Sequence, residues 1–224
     1  MTKFTKILAT VAMLWLISAQ ATPLMAYDFK VGQLYYKITD TVNREVAVVP
    51  EKDSYWGEYY TEENRPTGAV TIPAMVAYGG NTYSVTSIGQ RAFYDCSGLT
   101  SINIPNSITK IEENTFSGCR GLTSINIPNS VTSIGGGAFS GCRGLTSINI
   151  PNSVTKIEGS TFSGCRGLTS INIPNSVTSI GGGAFSGCRG LTSINIPNSV
   201  TKIEGSTFSG CRGLTSINIP NSVT

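Results

Sequence analysis

Histidine is absent from all 224 residues. Its absence removes every Ser-His-Asp, Cys-His or His-ligated metal site, and with them the commonest acid/base group near neutral pH. Charge is sparse as well: 13% of residues are Asp, Glu, Lys or Arg, about half the usual share. The formal balance of +3 is too small to make nucleic acid an expected partner. No cysteine precedes Cys96, which excludes a lipid-modified cysteine beside an N-terminal leader. No apolar run reaches the ~20 residues that a transmembrane helix needs. Apolar residues, by contrast, make up 40% of the chain, so charge-driven disorder is not expected.

Residues 1–26 carry the pattern of an export signal. Lys3 and Lys6 precede an apolar run from Ile7 to Ala19, and Pro23-Leu24-Met25-Ala26 ends in a small residue before Tyr27. This is a basic start, a short apolar middle and a small-residue cleavage site. Its removal takes two of the 16 basic residues and no acid, which leaves 14 against 13, or +1. The basic excess is mostly targeting information.

The remainder is periodic. Gly-Leu-Thr recurs from Gly98, Gly121, Gly144, Gly167, Gly190 and Gly213, always 23 residues apart. Residues 121–166 and 167–212 are identical over 46 positions. A fixed period of 20–50 residues is the mark of a solenoid. In one unit, Ile125 and Ile127 alternate with Ser124 and Asn126 at strand spacing. Pro128 lacks a ladder donor and ends that strand. Val131 to Ile134 reads as a second extended segment, Gly135 to Gly137 as a corner, and Ala138 to Cys142 as a short turn of helix or 3₁₀. One coil cannot fold alone; stacked coils share a core in which each buried apolar side chain contributes ~1.5–3 kcal/mol.

The unit Leu122-x-x-Ile125-x-Ile127-Pro128, with Val131, Ile134, Phe139 and Cys142, resembles the 23-residue leucine-rich repeat of the BspA-like bacterial surface proteins. The resemblance covers residues 69–224. It implies a right-handed β-rich superhelix with parallel strands, an exported and often surface-associated protein, and adhesion to host matrix or plasma proteins or to other bacteria.

The two ends of the mature chain differ from the array. Residues 27–68 hold Tyr35, Tyr36, Trp56, Tyr59 and Tyr60, with strands expected at Leu34–Ile38 and Arg44–Val49. They read as an N-terminal β cap over the first coil. The first repeat, 69–97, opens with Val70 to Pro73, carries an inserted hairpin at Ala77 to Tyr83, and resumes at Val85. The last repeat stops at Thr224, midway through a coil; the expectation is a fragment of a longer array.

Several columns are candidates for chemistry. Cys96, Cys119, Cys142, Cys165, Cys188 and Cys211 share one repeat position. Equivalent side chains point alike, which favours buried free thiols, and their closeness leaves disulfides between neighbouring coils open. Ser124, Asn126, Ser147, Asn149, Ser170, Asn172, Ser193 and Asn195 form ladders on the inner strand face. These amides either satisfy one another or offer a contact surface for a large partner; ordering water is a further alternative. Arg120, Arg143, Arg166, Arg189 and Arg212 make a basic column at a corner, either a solvated edge or a ridge for anionic glycans or acidic proteins. Lys156 and Glu158 should share a face, as should Lys202 and Glu204. Gly135-Gly136-Gly137 lacks the Lys and Ser/Thr of a phosphate loop. No nucleophile has a base beside it, so no enzyme, cofactor or metal site is expected. The leading expectation is an exported adhesion module, the alternative a structural spacer.

Overall fold

The computed structural model describes residues 25–54 and 58–224. The export-signal reading of 1–26 and the aromatic Trp56 therefore lie almost wholly outside the described residues. No helix among the described residues is long and apolar enough to cross a membrane.

The chain opens with three antiparallel strands, β1 (Phe29–Val31), β2 (Leu34–Asp40) and β3 (Glu45–Val49). A 3₁₀ turn at Glu62–Asn64 leads to β4 (Gly68–Thr71), and the inserted hairpin follows as β5 (Met75–Tyr78) and β6 (Asn81–Ile88). Its two turn residues, Gly79 and Gly80, both have positive φ, the backbone that a tight hairpin of this hand demands. Strand β3 pairs parallel with β6, so the N-terminal meander joins the edge of the array through backbone hydrogen bonds. Tyr35, Tyr36, Val46 and Val48 are buried in the same core as Val85, Ile88 and Phe93.

From β6 onward the array stacks at one fixed offset. Strands β8 (Lys110–Ile111), β9 (Ser133–Ile134), β10 (Lys156–Ile157), β12 (Ser179–Ile180) and β14 (Lys202–Ile203) form the second extended segment of successive coils. Each recorded pairing between them is parallel and 23 residues apart, as in Ile111 with Ile134 and Ile157 with Ile180. The first segment gives β7 (Leu99–Asn103), β11 (Ser170–Asn172) and β13 (Ser193–Asn195). Between them it narrows to single bridges, Asn103 to Asn126 and Asn149 to Asn172. This ladder is thinner than the alternation of Ile125 and Ile127 predicts. The Thr123 N–H reaches the Thr100 carbonyl only at 3.3 Å, and Pro128 offers no donor beyond.

The turn at Ala138 to Cys142 keeps three i→i−3 bonds of the 3₁₀ kind but does not run on as a continuous helix. Alternate amides leave the coil. Ala138, Ser140 and Cys142 N–H donate to Gly135, Gly137 and Phe139 within their own turn, whereas Gly137, Phe139 and Gly141 donate to Gly159, Thr161 and Ser163 of the next coil. A helix needs consecutive internal bonds; here every second one holds two coils together.

Inside, like stacks on like. Phe93, Phe116, Phe139, Phe162, Phe185 and Phe208 form a column with ring centroids 5.3–5.7 Å apart and planes within 11° of parallel. The 46-residue alternation also has a packing cause. A Cβ on Gly135 would lie 2.6 Å from the Glu113 nitrogen, and one on Gly181 would lie 2.5 Å from that of Gly159. Position 158, one coil on, carries Glu. In the same coil Thr161 is buried and caps the Glu158 carbonyl at 2.8 Å, where the neighbouring coils use Ala138 and Ala184.

This packing separates three chemically equal substitutions. Gly135→Ala and Gly181→Ala are expected to destabilise by about 1–3 kcal/mol through overpacking against backbone. Gly205→Ala, whose Cβ meets nothing within 4 Å, should stay within about 0.5 kcal/mol of the parent. Urea midpoints at constant m-value measure the contrast; equal shifts at all three positions would contradict the packing cause.

Candidate functional site

The period places Ser124, Asn126, Ser147, Asn149, Ser170, Asn172, Ser193 and Asn195 on one face, and all eight are exposed. The intervening Ile125, Ile148 and Ile171 are buried, so pleating turns every second side chain outward. Among the described residues no side-chain hydrogen bond joins one of these asparagines to another, and none of the eight side chains takes an intrachain partner. Several other hydroxyls of the repeat are engaged, although the buried Ser199 hydroxyl has no partner among the described residues. Ser107, Ser130, Ser153 and Ser176 donate at 2.5–2.7 Å to carbonyls of the preceding coil. Thr132, Thr146 and Thr178 do the same at 3.3–3.4 Å. Two serines six positions apart in one unit thus have opposite roles, and only the stacked geometry distinguishes them.

A second asparagine column was not singled out from the sequence. Asn106, Asn129, Asn152, Asn175 and Asn198, each following the repeat's proline, are exposed and equally without intrachain side-chain bonds. The signal was Pro-Asn-Ser at a constant spacing. A shallow groove of about 530 Å³ runs between the two columns, lined by Asn103, Asn126 and Asn149 on one side and Asn106 and Asn129 on the other, with Ile127 and Pro128 between them. Each amide presents a donor pair and an acceptor, so the groove is a regular, uncharged, two-sided array of hydrogen-bonding groups.

Arg120, Arg143, Arg166, Arg189 and Arg212 are also exposed, on the corner that follows the cysteines. Arg143 and Arg189 together pull the Arg166 pKa below its ordinary value by like-charge repulsion, which places the three guanidinium groups within mutual influence. Lys156 and Glu158 pair at 3.0 Å, and Lys202 and Glu204 at 2.9 Å. These pairs are solvent-exposed and contribute little to stability. The Gly135–Gly137 corner faces a groove that Glu112, Glu113 and Glu158 also line, a setting hostile to phosphate.

All six cysteines are free and buried. From Cys119 on, each thiol donates to the phenylalanine carbonyl of the coil before it, at 3.0–3.1 Å: Cys119 to Phe93, Cys142 to Phe116, Cys165 to Phe139, Cys188 to Phe162 and Cys211 to Phe185. The same carbonyl accepts the amide of its own coil's cysteine, as Phe116 does from Cys119 N–H. Burial pushes the thiols of Cys96, Cys142 and Cys188 up to about 12, and those of Cys119 and Cys165 well above the ordinary value. A nucleophile needs the thiolate; these cysteines are hydrogen-bonding core residues.

Residues 81–188 and 155–224 match the family described as BspA type Leucine rich repeat region, in 6 copies. A leucine-rich repeat protein from Bacteroides ovatus is 32% identical over 88% of this chain, with a TM-score of 0.66. The chain spans about half the length of that protein, 54%. The T. pallidum leucine-rich repeat protein TpLRR is 29% identical, with a TM-score of 0.70 over 87% of this chain and 83% of its own. The pneumococcal vaccine antigen PcpA shares the fold at 17% identity, with a TM-score of 0.52 over 90% of this chain and 72% of its own. No functionally curated protein matches the chain.

The thiol environment has a pH consequence with a definite sign. A folded-state pKa raised above the ordinary 9.0 means that the unfolded chain ionises first, so stability is intact below about pH 9 and falls as pH rises towards 12. Native protein at pH 8 should leave its thiols unreacted with a small disulfide reagent, and unreduced protein unfolded in denaturant should titrate six. Fewer than six would reveal a disulfide and remove the thiol–carbonyl column.

Proposed function

The chain belongs to the BspA-type leucine-rich-repeat family, and from that membership we propose that it is an exported, surface-associated protein that binds a macromolecular partner along its strand face. The observation that carries this reading is the paired asparagine columns. They are exposed, regular over successive coils and without intrachain side-chain bonds, whereas the hydroxyls of Ser130, Ser153, Ser176, Thr132 and Thr178 are spent on the fold. Extended repeat surfaces are where solenoids make their contacts. The Met1–Ala26 pattern supports export.

The face lacks the Trp, Tyr and Arg anchors of tight interfaces. Binding is therefore weak at each coil and gains strength by repetition. Host matrix or plasma proteins, or other bacterial surface macromolecules, are the proposed partners. Catalysis plays no part in this reading: the chain has no histidine, and its thiols sit buried with raised pKa values. Residues 27–68 act as the β cap, with β3 closing the free edge of β6.

The unbroken backbone, phenylalanine and thiol columns also favour a second reading, a stiff spacer that holds other domains away from a surface. Two changes separate the readings. Removing residues 167–212, which repeat 121–166 without change, shortens the array by two coils and keeps its register. Asn126→Ala, Asn149→Ala and Asn172→Ala together should weaken binding to immobilised matrix or plasma proteins by about tenfold, the equivalent of ~1.4 kcal/mol, at an unchanged melting temperature. The shortened array should also lose avidity. Binding that survives both changes assigns the array to spacing.

A further inference from the structure

The arginine column is the one strongly charged feature that neither the fold nor the asparagine reading uses. Among the described residues, no side chain of Arg120, Arg143, Arg166, Arg189 or Arg212 donates a hydrogen bond within the chain or joins an ion pair. The two recorded ion pairs are Lys156–Glu158 and Lys202–Glu204, thirteen residues further round the coil. Asp95, beside Gly118, is an acid at the N-terminal end of the column, where Arg65 also reaches the Asp95 carbonyl at 2.9 Å. Beyond it, from Arg120 to Arg189, the residues within three positions of each arginine that are not buried are only Ser, Gly and Thr.

We propose that these five arginines form a ridge that binds an extended anionic polysaccharide lengthwise, one sulfate or carboxylate to each guanidinium. Guanidinium groups take both anions in paired hydrogen bonds. Every large exposed apolar side chain among the described residues lies at or before Tyr78 or at Ile217 and Ile219, so the ridge offers a folded partner nothing to bury. A tight protein interface needs such anchors; a polyanion does not. Spacing also disfavours an acidic peptide. Like-facing side chains of an extended peptide repeat at about 6.7 Å, whereas strands of an array stand about 4.8 Å apart and the phenylalanine column beside the ridge repeats at 5.3–5.7 Å. A peptide would lose at least about 1 Å of register with each coil, and one spanning all five arginines would end close to a full position out. Glycosidic linkages let a charged sugar chain adjust to the pitch.

Crowding of like charge supplies a driving force. The repulsion that pulls down the Arg166 pKa is relieved when anions sit between the groups. With a mature net charge of only +1, the attraction is local to the ridge and screened beyond about 10 Å at 0.1 M salt. The surface is separate from the asparagine groove, so either reading can fail without the other.

Titration of the full chain with a heparin octasaccharide, against neutral dextran, tests the ridge. Octasaccharide should bind with affinity falling roughly tenfold or more between about 50 and 200 mM salt, as counterion release requires, and dextran should not bind. The combined Arg143→Gln, Arg166→Gln and Arg189→Gln change should reduce octasaccharide affinity at least tenfold. The single reversal Arg166→Glu should reduce it at an unchanged melting temperature. Lys156→Gln with Lys202→Gln removes two positive charges elsewhere and should leave affinity within twofold. Undiminished binding by the arginine variants overturns the proposal, as does equal loss in the lysine variant. Tighter binding of polyglutamate or of oligodeoxythymidylate than of the octasaccharide also overturns it.

Discussion

Backbone register between coils is the constraint on which everything else rests. Strands pair parallel at an offset of 23 residues, and the turn on another side of the coil pairs through alternate amides with the coil that follows. The two sets of bonds run in opposite directions along the stack. Thr132 N–H donates back to Thr109, whereas Phe139 N–H donates forward to Thr161. A coil held by donors on one side and acceptors on the other has no freedom to slip by a residue. Slippage would also carry Ile134 out of the core and Ser133 into it. Columns of identical side chains follow from that translation.

Translation explains which residues each column tolerates. Phenylalanine rings stack nearly parallel because one translation carries each ring onto the next. Cysteine suits its column because a thiol is small and apolar enough to bury and still donates to a carbonyl that the turn leaves half-satisfied. The close approach of Gly144 to the Arg120 carbonyl, where a Cβ would sit at 2.7 Å, keeps a second column free of side chains. Glycine in these two columns answers neighbouring backbone, whereas at Gly141, Gly164, Gly187 and Gly210 it answers a positive φ.

The period made the core legible in the sequence: Leu122, Ile125, Ile127, Val131, Ile134, Phe139 and Cys142 are all buried, and the inserted hairpin and the strands at Leu34 and Glu45 lie where turn and strand signals placed them. The cysteines are free, the state that their common direction favoured. Other features depend on what the next coil does, which local pattern does not carry. A turn of helix or 3₁₀ was expected at Ala138; its i→i−3 bonds are present, yet alternate amides belong to another coil. Ser124 and Ser130 look alike in a unit, but one faces out and the other caps a carbonyl 22 residues back. The asparagine after each proline recurs as regularly as Asn126, and only stacking shows that the two line one groove.

Translation has a cost where the repeated residue is charged. Uncharged columns such as Asn126–Asn149–Asn172 set like amides side by side without repulsion. The Lys156 and Glu158 positions avoid it in two ways: each cation has an anion in its own coil, and the pair recurs only every second coil, with Ser133 or Ser179 between. The arginine position does neither. It repeats in every coil from Arg120 to Arg212, faces no carboxylate in its own coil, and lowers the basicity of its middle member. A fold with ready means of diluting repeated charge leaves this one column undiluted. In the free chain that arrangement is mildly unfavourable, and it becomes favourable only when negative charge arrives from outside. The ridge is thus the part of the surface whose electrostatics are least complete without a partner.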